Sequence, residues 1–229
     1  MPPPIQTDPL ISRECEPFPR QWLLVVFVAY GVGYGRRCSG IRSPCEFDLC
    51  GRPEERRELI TRRVVTGVNS AGKSEVVFDG NTPGYFDLAV SEFDVIWLSD
   101  SFPPELLGSD DPADVDHYVM KPPPGGIKWV VIRIPPESES DAVDRSSPEF
   151  ARLMSKFDDG GVMEPGGDGW HTTQTLDLVT VISGEVDLEL DDVVTRLKAG
   201  DCVVQRGTRH RWVNRGVEPC VLSGVIIAA

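Results

Sequence analysis

Histidine is scarce in this 229-residue chain, with only His117, His171 and His210. Any imidazole site must therefore draw on these three. Positive charge is also short: 23 Lys and Arg stand against 36 Asp and Glu, a formal charge of −13 and a pI of about 4.7. Such a balance repels phosphate backbones and anionic lipid surfaces, which argues against nucleic acid and membrane partners. No glycine-rich dinucleotide fingerprint follows a strand, and GxxxxGK[ST], GxSxG and HExxH are all missing. Nucleotide-dependent, serine-hydrolase and zinc-protease chemistries lose their sequence support. "GVGYGRR" at 31–37 lacks the βαβ frame that would make its glycines a phosphate loop.

Cysteine is thin where the chain looks most ordered: beyond residue 50 there are only Cys202 and Cys220, too few for a disulfide framework. Cys38, Cys45 and Cys50 lack a CxxC pair and a nearby histidine, so unpaired thiols are expected there rather than a zinc knuckle. The one strongly apolar run, Trp22–Gly35, falls short of the roughly 18–20 residues of a spanning helix. Its long, acid-bearing front end and missing small-x-small cleavage site fit a signal peptide poorly, leaving the cytoplasm as the expected compartment. Residues 1–57 carry 8 of the basic and 7 of the acidic residues, so the acidity belongs to the remainder. Two regions are expected: a poorly structured extension or gene-model artefact at 1–57, and a folded domain at 58–229.

Within that domain the patterns are mostly those of strands. "RRVVTG" and "SEVVFD" flank "VNSAGK", a hairpin loop by its Asn, Ser and Gly. Phe93–Asp100 reads as a third strand, and "GGIKWVVIRIPP" as a fourth with Ile127, Trp129, Val131 and Arg133 on one side. Residues 101–126, rich in Pro, Asp and Gly, read as a long surface loop. An acidic linker, "PPESESDAVDRSS", precedes a helix in "SPEFARLMSKF". Ser147 caps it, Pro148 starts it, and Phe150, Leu153, Met154 and Phe157 form an apolar face that packs on the sheet. Short strands then follow at 175–183, 185–190, 193–198, 201–204, 210–214 and 220–227. In "EVDLEL" Val186, Leu188 and Leu190 point inward, and Glu185, Asp187 and Glu189 outward. Strands joined by tight Ser-Gly, Asp-Asp and Ala-Gly-Asp turns predict an all-β antiparallel sandwich or barrel.

Chemistry gathers at two points of this region. His210, Trp212 and Asn214 share a strand face, so an inward His210 brings an aromatic wall and an amide with it. His171 and Asp177 have the same parity, but six residues of straight strand separate them by roughly 20 Å. The chain must bend at "TTQT" if both are to serve one site. With that bend, His171, Asp177 and His210 offer two imidazoles and a carboxylate, a set suited to Fe(II), with Mn, Ni or Zn as alternatives. The same three residues could instead act without metal as acid, base or hydrogen-bond groups, or be satisfied structural polars. His117, in "DVDHYV", is expected to be solvated.

These residues carry a resemblance to the cupin superfamily. Its first motif has the form G-x5-H-x-H-x3–4-E-x6-G. Here His171 matches the first histidine, Thr173 replaces the second, Asp177 replaces the glutamate, and Gly184 closes the motif. In the second motif, G-x5-P-x-G-x2-H-x3-N, Gly200, Gly207, His210 and Asn214 match and Gln205 stands in the proline position. The chain from about residue 60 is also similar to cupin-domain oxidoreductases of fungal clusters that make salicylaldehyde-type polyketides. The resemblance implies an antiparallel cupin (jelly-roll-like) β-barrel with a core at 165–229, extra N-terminal strands and one short helix. It further implies a tailoring oxidoreductase on an aromatic or polyketide intermediate, with a homodimer as the expected assembly. The alternatives are a metal-free isomerase or dehydratase and a non-catalytic binder. The candidate metal and catalytic residues are His171, Asp177 and His210; the candidate pocket residues are Trp212, Asn214, Thr173, Trp170 and Trp129.

Overall fold

A computed structural model describes residues 60–106, 110–166 and 168–229. The expected extension at 1–57, with its apolar run and cysteines, lies outside the described residues. What is described is an antiparallel β-protein with two short helices. The first hairpin pairs β1 (Arg62–Val68) with β2 (Ser74–Asn81) around Asn69, whose Oδ1 accepts from the amides of Ala71 and Lys73.

The main sheet has six strands. Its members are β3 (Gly84–Asp87), β4 (Glu92–Ser99), β6 (Ile127–Ile134), β8 (Thr175–Ser183), β11 (Cys202–Arg206) and β13 (Cys220–Ala228). They run in the order β11-β8-β13-β6-β4-β3. A second sheet, β10-β9-β12, contains β9 (Glu185–Glu189), β10 (Val194–Lys198) and β12 (Arg211–Val213). Between the two sheets Val181 and Leu222 of the first meet Val186, Leu188 and Leu197 of the second. This is the expected jelly-roll-like layering, driven by alternation that buries one face of each strand.

The sequence reading needs four corrections. The segment 101–126 is more than a surface connection: it buries Ala113 and Tyr118, and β5 (Tyr118–Val119) pairs in parallel with β7 (Phe157–Asp158). Phe157 therefore belongs to a strand, and the helix α2 (Pro148–Met154) stops before it. Ser147 does cap α2, accepting from the Phe150 amide at 3.1 Å. The acidic linker holds a short helix, α1 (Glu137–Asp141). Asp187 and Glu189 are buried rather than solvated, because Arg196, Arg211 and Arg215 cover them.

Gly184 is required by its turn. Its φ is +73°, and an added Cβ would stand 2.5 Å from the Pro219 carbonyl oxygen and 2.9 Å from Cys220 Cα. We expect Gly184→Ala to cost about 2–4 kcal/mol, combining left-handed strain with a backbone clash. Gly200→Ala, at φ +93° but with nothing near its Cβ, should cost about 1–2 kcal/mol. Urea denaturation of both variants checks the difference; equal losses would mean that the clash relaxes away.

Candidate active site

The two motif histidines meet because the chain changes sheets between residues 172 and 174. Asp177 lies on β8, where it pairs with Gln205 of β11 and Ile226 of β13. His171 instead pairs with His210, immediately before β12 of the smaller sheet. The backbone exchange is reciprocal, with His171 N to His210 O and His210 N to His171 O both at 3.0 Å. Residues opposed in this way project side chains to the same face, and the ring centroids stand 4.2 Å apart. Gly207 makes room for the crossing: a Cβ there would approach the Thr173 carbonyl oxygen to 3.2 Å.

Each imidazole is oriented through Nδ1. His171 Nδ1 lies 2.9 Å from the Gly169 carbonyl oxygen, and His210 Nδ1 lies 2.9 Å from that of Thr208. A carbonyl only accepts, so both Nδ1 atoms carry the proton and both Nε2 atoms keep a lone pair. Burial holds both rings in the neutral form. It lowers the pKa of His171, and it pushes that of His210 down to about 4, with the neighbouring His171 adding to the shift.

These residues line a cavity of about 900 Å³ between the sheets, within the range of small-molecule sites. Its walls are largely apolar and include Phe93, Tyr118, Val130, Phe150, Met154 and Trp212. The α2 face thus closes the cavity with Phe150 and Met154, while Trp212 sits edge-on to His210 at 6.0 Å. Asp177 is 9% exposed, and its Oδ1 is buried with no hydrogen-bond partner. Burial raises its pKa. Thr173 also lines the cavity, its hydroxyl accepting from Thr175 Oγ1 at 2.7 Å.

Three expected pocket residues have other roles. Trp129 is 44% exposed on the outer face of the large sheet, donating to Ser223 Oγ at 2.8 Å. There it stands in a row across the registers, Trp97, Trp129, Val225, Leu178 and Val204. Trp170 is held between Arg209 and Arg211, whose guanidinium carbons lie 3.8 and 5.1 Å from the ring centroid. It is not part of the cavity wall. Asn214 borders the cavity, but its amide is committed to backbone: Nδ2 donates to Ile134 O and Glu218 O, and Oδ1 accepts from Gly216 N. It fixes the loop after β12. His117 is exposed.

Lys128 was missed. It is 3% exposed, donates to the carbonyls of Val119 and Met120, and stands 4.3 Å from the Tyr118 ring centroid. Burial pulls its pKa down to about 7, against the raising influence of Asp177. The available signal was its strand parity with Val130, Ile132 and Ile134.

A metal would find only part of a ligand set. The two Nε2 lone pairs fit a divalent ion, and the Nδ1 contacts to carbonyls are the usual outer support of such ligands. Among the described residues, however, no three His, Cys, Asp or Glu side chains converge to hold one ion. Asp177 lies near enough to His171 for their charges to interact without completing such a group, and Thr173 offers a hydroxyl where the motif has nitrogen.

Two facing antiparallel sheets, with a histidine pair opening into the cavity between them, define a β-sandwich of the jelly-roll class. The family model for the cupin domain matches residues 161–227. Phomopsin biosynthesis cluster proteins C' and D of Diaporthe leptostromiformis are 30% and 31% identical over 172 residues, 71% of this chain and 75% of each relative. Oryzines biosynthesis cluster protein J of Aspergillus oryzae is 52% identical over 46 residues, 20% of this chain and 26% of that protein. Among solved structures, the Cnp3 cupin domain of Schizosaccharomyces pombe aligns with a TM-score of 0.36 at 12% identity, over 73% of this chain and 88% of that one. The chain belongs to the cupin family. Among the described residues no helix is long and apolar enough to cross a membrane.

Proposed function

We propose that this cupin is a tailoring enzyme of fungal secondary metabolism, an oxidoreductase acting on an aromatic or otherwise apolar intermediate held in the cavity. The observation that carries the reading is the buried imidazole pair with both Nε2 lone pairs unprotonated, lining a largely apolar cavity. The similarity to biosynthesis cluster proteins supports the metabolic setting. The oxidoreductase class rests on the resemblance to cupin-domain oxidoreductases.

His171 and His210 would hold a divalent ion, Fe(II) before Mn, Ni or Zn. Bound there, it would supply Lewis-acid or oxygen-activating chemistry. The chain's own residues do the rest: Trp212, Phe150 and Tyr118 enclose the substrate and exclude water, and Asp177 Oδ1 accepts a hydrogen bond from it. A second reading, a metal-free isomerase or dehydratase, is favoured by Asp177 lining the same cavity as the imidazoles, near enough to His171 for their charges to interact. A carboxyl shifted upward by burial and a neutral imidazole lining one cavity would serve as an acid and base pair.

Anaerobic Fe(II) loading separates the two readings. The metal reading expects about one ion per chain, lost in His171→Ala and in His210→Ala. Occupancy below about 0.1 per chain, with EDTA-resistant turnover abolished by His210→Ala, would establish the metal-free reading instead.

A further inference from the structure

The cavity has a charge pattern that its apolar walls do not explain. Its mouth carries Asp141, Asp158, Asp159 and Asp168, none of them in an ion pair with a described Lys or Arg. Glu164, also at the mouth, is matched by Arg209 through contacts of 2.6 and 2.8 Å. The arginines lining the same cavity do not offset this. Arg211 is spent on Glu189 Oε2 at 2.7 Å and the Asp168 carbonyl at 3.2 Å, and Arg145 is not free either. Asp158 and Asp159 accept backbone amides of the turn at 160–163, which orders them without cancelling their charge. Deeper in, Asp177 is nine-tenths buried, lines the cavity and presents an Oδ1 with no hydrogen-bond partner. A buried acceptor left unpaired costs free energy until a donor arrives. Lys128 lies near enough to Asp177 for their charges to interact, but it donates to two carbonyls, does not line the cavity and gives Oδ1 no hydrogen bond.

We propose that the cavity takes a cationic amphiphile: an aromatic-sized apolar body with a protonated amine or guanidinium at the mouth carboxylates, and an N–H or O–H donor facing Asp177. This rests on the cavity being the substrate site. Carboxylated and phosphorylated molecules are disfavoured at the mouth by the same charges, whose field the low-dielectric walls focus inward. Exposed carboxylates attract through solvent, so the preference is salt-sensitive.

The test uses the full chain and three probes of equal bulk: 2-phenylethylamine, 2-phenylethanol and 3-phenylpropionate, titrated by ligand-observed NMR. The amine should bind about tenfold or more tighter than the carboxylate. That ratio should shrink between about 20 and 300 mM salt, and in D141N/D168N, which removes charge while keeping shape. Equal binding of amine and carboxylate, or an amine preference untouched by D141N/D168N, overturns the proposal. If the alcohol binds and is displaced by the amine with no gain in affinity, the charge inference fails while the cavity stands as the substrate site. If none of the probes binds, the cavity reading and this inference fail together.

Discussion

Replacing His210 with alanine should reduce product formation by about 10²–10⁴-fold, the range for losing a positioned acid or base group. The chain should remain folded, because the pairing of 210 with 171 is made by backbone atoms that alanine retains. The side chain itself contributes one Nδ1 hydrogen bond to Thr208 and a ring edge-on to Trp212. His171→Ala should have a loss of similar size. The double variant should be little worse than either single one, since groups that work as a unit do not add. His117→Ala, at an exposed position outside the cavity, serves as the control. Each variant is expressed in a strain lacking the gene, and mass spectrometry follows whether the missing metabolite returns. Full restoration by His210→Ala would remove the imidazole pair from the chemistry under either reading.

Much of this site was legible because strand parity is a strict rule. The repeating inward positions 171, 173, 175 and 177 are all buried, and the sheet-switching bend falls within "TTQT". His171 and His210 could be paired from motif spacing before any backbone was known. Strand β6 defeated the same reasoning because both of its faces are apolar. Trp129 and Val131 share one face, Val130 and Ile132 the other, so hydrophobicity alone could not say which face meets the cavity. The covered side turned out to be the one with Lys128, whose charge is tolerated through two carbonyls and the Tyr118 ring. Trp170 was a candidate for the cavity wall, which it does not line. Its position depends instead on two arginines about 40 residues further on, a contact no local pattern encodes.

Non-local arginines, Arg211 again among them, also underlie a large stability effect. Asp187 and Glu189 alternate with apolar residues on β9, which reads as a solvated face, yet they are 4% and 6% exposed. Arg196 and Arg211 reach them from the neighbouring strands: Arg196 Nε lies 2.7 Å from Asp187 Oδ1, and Arg211 Nε 2.7 Å from Glu189 Oε2. Arg215 then bridges both carboxylates, through Nη1 to Asp187 Oδ2 at 2.8 Å and through Nη2 to Glu189 Oε1. Arg215→Ala therefore leaves two desolvated oxygens without their bridging cation. Breaking a fully buried pair typically costs more, but Arg215 is itself 38% exposed, so solvent screening reduces the loss to about 2–3 kcal/mol. The penalty should depend on pH in a defined direction. The arginines hold the Asp187 carboxyl down at about 2, Arg196 contributing first, against about 3.9 in an unfolded chain. A carboxylate depressed on folding stabilises the fold above its unfolded value and loses that contribution as pH falls through its folded value. The gap between the parent chain and Arg215→Ala should therefore be full at neutral pH and close between about pH 4 and pH 2. Urea midpoints measured across that interval decide it: a gap that stays constant with pH would mean that Arg215 stabilises by packing its aliphatic stem and not through these charges.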